Sequence, residues 1–92
     1  MNRQQYLDLI IPAIDLVAKK GEDYNAGVRL QQYFPFQDRS YIQMIYLKAL
    51  RLVALAENHA PNFESTQDTL YDLLNYTVFY LDYLKDQSDE HI

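Results

Sequence analysis

Three stretches of the chain carry apolar residues at the steps of three and four that mark an amphipathic helix. The clearest lies within Asn62–Tyr83. Leu70, Leu73, Leu74, Thr77, Val78, Leu81 and Leu84 form one continuous apolar stripe there. On the opposite edge fall Glu64, Asp68, Asp72 and Asn75, which line up at 3.6 residues per turn. Tyr76, Phe79 and Tyr83 sit on or beside that same polar edge. Near the N-terminus, from Asn2 or Arg3 to Lys20, Leu7, Ile10, Ile14 and Val17 predict a buried stripe, with Asp8, Asp15 and Lys19 opposite. Pro12 interrupts this helix, at a cost of about 3 kcal/mol inside a helix. The apolar register carries across it, which predicts a kink rather than a break. Gly21, after Lys19 and Lys20, is the expected stop.

The middle helix is expected to open on a Ser40–Gln43 capping box and to run to about Asn58. Between Tyr41 and Ala56 its strongly polar residues are Gln43, Lys48 and Arg51. A helix apolar on nearly every side is buried on more than one side. A chain of 92 residues can hardly cover it, so the pattern predicts at least a dimer, built on the second and third helices. Gly21–Arg39, which joins the first two helices, exceeds the ~12–15 residues beyond which a loop is uncommon. Its Tyr24, Tyr33, Phe34 and Phe36 argue for order, packing back over the bundle, with a short helical turn within Val28–Tyr33. The expectation is thus an all-α, single-domain chain over residues 1–92: three helices near 3–20, 40–58 and 63–85, a long ordered loop after the first, and an acidic tail, 86–92, that frays.

Composition narrows the chemistry. There are no cysteines, which excludes disulfides and thiolate metal sites. The net charge of −5 argues against a nucleic-acid polymer as partner. It is compatible with a divalent cation carrying a phosphorylated small ligand. No apolar run approaches the ~18–20 residues of a membrane span, and the N-terminus lacks the pattern of a signal peptide, so a cytoplasmic location is expected.

Three constellations could carry chemistry. Glu64, Asp68 and Asp72, with Asn75, offer hard oxygen ligands suited to Mg²⁺ or Mn²⁺; the plain alternative is a solvated acidic face. Lys48 and Arg51 share one edge of the middle helix. They serve either as a phosphate clamp or as salt-bridge partners of Asp68 or Asp72. Lys20, Glu22, Asp23, Tyr24 and Asn25 mark the end of the first helix. They form an ordinary helix end, or else Asp23 completes a metal site and Tyr24 stacks on a base. His59 and His91 do not look like ligands. Phosphate-loop, zinc-helix and nucleophile-elbow motifs are absent.

Lys19-Lys20-Gly21-Glu22-Asp23-Tyr24, then YFPFQDRSYIQMIYLKALRL, then NFESTQDTLYDLLNY, resemble in that order the small phage and prophage proteins of the "nucleotide modification associated" family. Those are similar to the all-α, MazG-like nucleoside-triphosphate pyrophosphohydrolases. The resemblance spans about residues 15–85, and its most specific block is E-S-x-x-D-[TS]-L-x-D-L-x-N-Y. It implies an oligomeric helical bundle of MazG-like type in host-cell cytoplasm. Mg²⁺ would sit on acidic residues from two helices, and a triphosphate would be cleaved to monophosphate and pyrophosphate. Asp68 and Asp72 stand where the second acidic pair of that pattern would be, with Glu64 before them. The glutamate-rich E-E-x-x-[ED] block of the earlier MazG helix is not reproduced, since the first helix offers Asp8, Asp15, Glu22 and Asp23 in another arrangement.

Three functions compete. One is Mg²⁺- or Mn²⁺-dependent pyrophosphohydrolysis, with Glu64, Asp68 and Asp72 catalytic and Glu64, Asp68, Asp72 and Asp23 on the metal. Another is nucleotide binding without turnover, with Lys20, Asp23, Tyr24, Lys48, Arg51, Asn75 and Tyr76 as contacts. In a phage such a protein would be a sponge for a cyclic or NAD-derived immune signal, an anti-defence role. The last is a structural helical adaptor in which Tyr76, Phe79 and Tyr83 are dimer core.

Overall fold

The computed structural model describes residues 1–23, 30–57 and 65–90; the side chains of residues 20–23, 89 and 90 are outside that description. The chain is all-helical. It forms α1 (Arg3–Asp23), a short 3₁₀ turn (Leu30–Tyr33), α2 (Asp38–Ala56) and α3 (Thr66–Glu90), with no strand among the described residues.

Each helix start has a local cause. Before α1, the Asn2 side chain accepts from the Gln5 backbone N–H at 2.8 Å, and the Gln5 side chain accepts from the Asn2 N–H at 2.9 Å. This is a reciprocal capping box. The helix then runs unbroken through Pro12, as the carried-over register predicts. It also passes Gly21, the expected stop, and closes at Asp23. Glycine costs a helix only about 1 kcal/mol against alanine, which tertiary packing can absorb.

The start of α2 corrects the expected capping box. Gln37, not Ser40, occupies the cap position, with φ 57° and ψ −133° and no side-chain cap bond. Ser40 lies inside the first turn, buried, and its hydroxyl accepts from the Phe36 N–H at 2.8 Å. Hydroxyl and backbone are still satisfied, but in the reverse sense. The helix ends at Ala56, short of Asn58, which is outside the described residues. At α3 the cap is Ser65, whose hydroxyl accepts from the Asp68 N–H at 3.0 Å. Thr69, fully buried, donates its hydroxyl to the Ser65 carbonyl, so its burial leaves no polar atom dry. The predicted fraying tail is instead helical to Glu90, and Asp86 within it accepts from the Gln31 side chain.

Helix α3 is the spine. Helix α2 packs along it in the antiparallel sense, since Asp38 meets Tyr80 while Lys48 meets Asp72. Helix α1 is tied to α3 where Asn75 donates to the Ala13 carbonyl at 3.1 Å. The core between α2 and α3 is aromatic. Phe34, delivered by the 3₁₀ turn, stacks on Tyr41 with centroids 4.2 Å apart. Tyr41 stacks in turn on Tyr80 at 5.4 Å and meets Tyr83 at 5.2 Å. Tyr76 stands edge-on to both Phe34 and Phe79. Of the loop aromatics expected to pack back on the bundle, Phe34 does so, whereas Phe36 is 74% and Tyr33 48% exposed and Tyr24 lies outside the described residues.

The aliphatic stripes point the other way. On α3, Leu70, Val78, Leu81 and Leu84 are 43–61% exposed. On α2, Ile42, Tyr46, Leu50 and Val53 are 47–60% exposed. On α1, Ile14 was expected in the buried stripe and is instead 52% exposed, while Ala13 is fully buried in its place. A small residue there lets the two backbones approach closely enough for the Asn75 bond.

On each helix the exposed apolar positions fall well over a third of a turn from the residues that face the partner helix, toward the outside of the α2–α3 pair. None of the described helices is long and apolar enough to cross a membrane.

Candidate functional site

A cavity of about 250 Å³ opens on the α1 side of α3. Leu16 and Val17 of α1 form one wall, and Tyr33 of the 3₁₀ turn with Phe34 just after it form another. Met44 of α2 closes a third side. The floor is α3, which contributes Asp72, Asn75, Tyr76 and Phe79, spaced so that all four fall on one face. The walls are carbon, and the floor brings a carboxylate and a carboxamide into them.

Polar contacts fix both floor groups. Lys48 of α2 reaches across to Asp72, with Nζ 2.9 Å from Oδ2. Both side chains are mostly sheltered, at 19% and 23% exposure. Such shelter strengthens the pair relative to a surface one. Asn75 spends one N–H on Ala13. A carboxamide has a second N–H and a carbonyl oxygen beyond that. Arg51, half-buried on the same edge of α2 as Lys48, has its Nε buried.

Among the residues expected from sequence, Asp72, Asn75 and Tyr76 therefore come together around one cavity, with Lys48 bound to Asp72. Asp68 is exposed, and its backbone serves the Ser65 cap. Glu64 and Tyr24, and the side chains of Lys20 and Asp23, lie outside the described residues, as do His59 and His91. Among the described residues, no group of three His, Asp or Glu is placed to hold a metal ion. The cavity walls were not singled out from sequence as a set. Phe34 had a signal in the aromatic richness of its loop. Leu16, Val17 and Met44 had none, because nothing in an apolar residue's identity separates a cavity wall from packed core.

Two tyrosines are perturbed nearby. Burial, reinforced by the negative charges of Asp82 and Asp86, raises the Tyr41 phenol above its ordinary value. Tyr80 is raised chiefly by its hydrogen bond to Asp38, which accepts at 2.8 Å. Both phenols stay neutral at physiological pH.

No family model, curated protein or solved structure matches the chain.

Proposed function

We propose that this chain is a homodimeric nucleotide-binding protein that holds its ligand in the α1-side cavity without turning it over. The observation that carries the reading is the convergence of aromatic walls on a carboxylate–carboxamide floor. Ring walls suit a flat base, which has two apolar faces and a polar edge. Retention rather than hydrolysis is favoured by the state of the acids. Asp72 is committed to Lys48 and Asp68 faces water, and no three acids among the described residues gather at one point. Arg51 does not line the cavity but shares the helix face of Met44 and Lys48, two turns from Met44, and is the group that would meet a phosphate extending from the cavity.

The dimer rests on exposed apolar side chains, with Leu70, Val78, Leu81 and Leu84 of α3 and Ile42, Tyr46, Leu50 and Val53 of α2 all open to solvent. The exposed stripes of α2 and α3 supply apolar surface that a second copy would cover.

Incubation with a nucleotide panel and Mg²⁺, read for both pyrophosphate release and ligand retention, tests the site. Retention without release is expected; release would replace this reading with pyrophosphohydrolysis. Light scattering at micromolar concentration tests the assembly. A dimer is expected for the wild type and a monomer for Leu81→Asp, and a wild-type monomer would refute the dimer.

A further inference from the structure

We infer that the cavity selects a planar heterocycle whose edge bears an amino group, donated to Asp72. The inference rests on the nucleotide reading above and narrows it to a feature of the base. At about 250 Å³ the cavity lies below the ~300–1,000 Å³ of pockets that enclose drug-sized ligands. It has room for one ring system, with sugar and phosphate left toward the mouth. Tyr76 and Phe79 stand nearly perpendicular to each other, at 87°. A flat ligand would thus stack on one ring and meet the other at its edge.

The edge of the ligand is set by what Asp72 can do. An ionised carboxylate accepts hydrogen bonds and donates none. Its Oδ2 already receives the Lys48 ammonium, which balances the charge, so a second cation is not required. The remaining oxygen needs a neutral donor. A heterocycle entering without one would strip water from a carboxylate and return nothing. An exocyclic amino group supplies the N–H. The second N–H of Asn75, one helical turn away on the same floor, can then serve the adjacent ring nitrogen. Adenine and cytosine present this amino-and-ring-nitrogen pair.

The test compares three ligands on the unmodified protein by calorimetry: adenosine 5′-monophosphate, purine riboside 5′-monophosphate, which lacks the amino group, and the N6,N6-dimethyl analogue, which keeps the nitrogen but loses its N–H. The amino form is expected to bind at least about tenfold more tightly than either analogue, since sites built around a hydrogen bond reject ligands lacking it. Asp72→Asn, checked by circular dichroism for a retained fold, is expected to shrink that ratio, because a carboxamide can turn its own N–H to the bare ring. Equal affinities for all three on the wild type would overturn the inference and leave nucleotide binding standing. Absence of binding by all three, with a triphosphate retained, would also overturn it. No retention of any nucleotide would remove both.

Discussion

Removing Lys48 is the most informative single change, because it asks how much of Asp72 is structure. The ammonium and carboxylate lie 2.9 Å apart at 19% and 23% exposure. Fully exposed pairs contribute about 0.2–1 kcal/mol, and deleting one partner of a fully buried pair costs about 3–5 kcal/mol. The exposure here lies between those limits, which places Lys48→Ala near 2 kcal/mol. For a domain of this size that is a drop in Tm on the order of 10 °C. Asp72→Ala should cost about the same. The double variant should cost clearly less than the two added together, with a coupling of about 1–2 kcal/mol. Urea and thermal melts at fixed protein concentration give these values, concentration being held because assembly shifts apparent stability. Replacing the pair by Lys48→Met with Asp72→Leu should recover most of the loss, since apolar groups of similar volume remove both desolvation penalties. A Lys48→Ala variant within about 0.5 kcal/mol of wild type would refute the reasoning, and Asp72 would then be free to change partners when a ligand enters.

Further outcomes follow from the local geometry. Ser65→Ala should cost about 1 kcal/mol in a urea melt by removing the cap of α3; an unchanged midpoint would mean that Asp68 N–H finds another acceptor. Gln37→Gly should stabilise by about 1 kcal/mol, because φ 57° with ψ −133° strains any residue with a Cβ. Loss of stability in that variant would show that the Gln37 side chain has a role of its own. The raised Tyr41 phenol makes stability depend on alkaline pH. Below pH 10 both folded and unfolded phenols are protonated and the contribution is complete. As pH rises past 10 the unfolded state ionises first and stability falls. Tyr41→Phe should flatten that decline between pH 9 and 11 in urea melts, and an equal decline in both proteins would refute the assignment.

The three helices, their order and the helical turn before α2 were legible in the sequence because each depends on short-range spacing. The direction each helix faces was not. Helix α3 has two apolar sides, one aliphatic (Leu70, Val78, Leu81, Leu84) and one aromatic (Tyr76, Phe79, Tyr80, Tyr83). Periodicity reports that both exist and says nothing of which meets α2. The aromatic side won because Phe34 and Tyr41 could stack into it, a choice made by a residue more than forty positions away. The polar edge misled for a related reason. Lys48 and Asp72 look like surface residues one at a time, and they enter the interior only as a pair. Cap positions also moved. Ser40 and Ser65 are equally good cap residues by type, and the Phe36 N–H captured one of them. Of the expected site, Asp72, Asn75 and Tyr76 converge because they share a face of one helix, which is the one kind of proximity a sequence can state.

The Asn75–Ala13 bond has a kinetic consequence. Only nine positions of sequence separate the end of α2 from the start of α3, whereas this bond joins residues 62 positions apart. Loop closure of that length comes late, so the α2–α3 hairpin should form first and α1 dock last. In the native state the reverse opening is expected to be the cheapest partial unfolding, and it would lift Leu16 and Val17, which line the cavity, away from it. Helix α1 would then be the door as well as the wall. In hydrogen exchange its amides should lose protection before those of α2 and α3, and a cavity ligand should slow them selectively. Uniform protection across the three helices would mean that ligand enters by some other path.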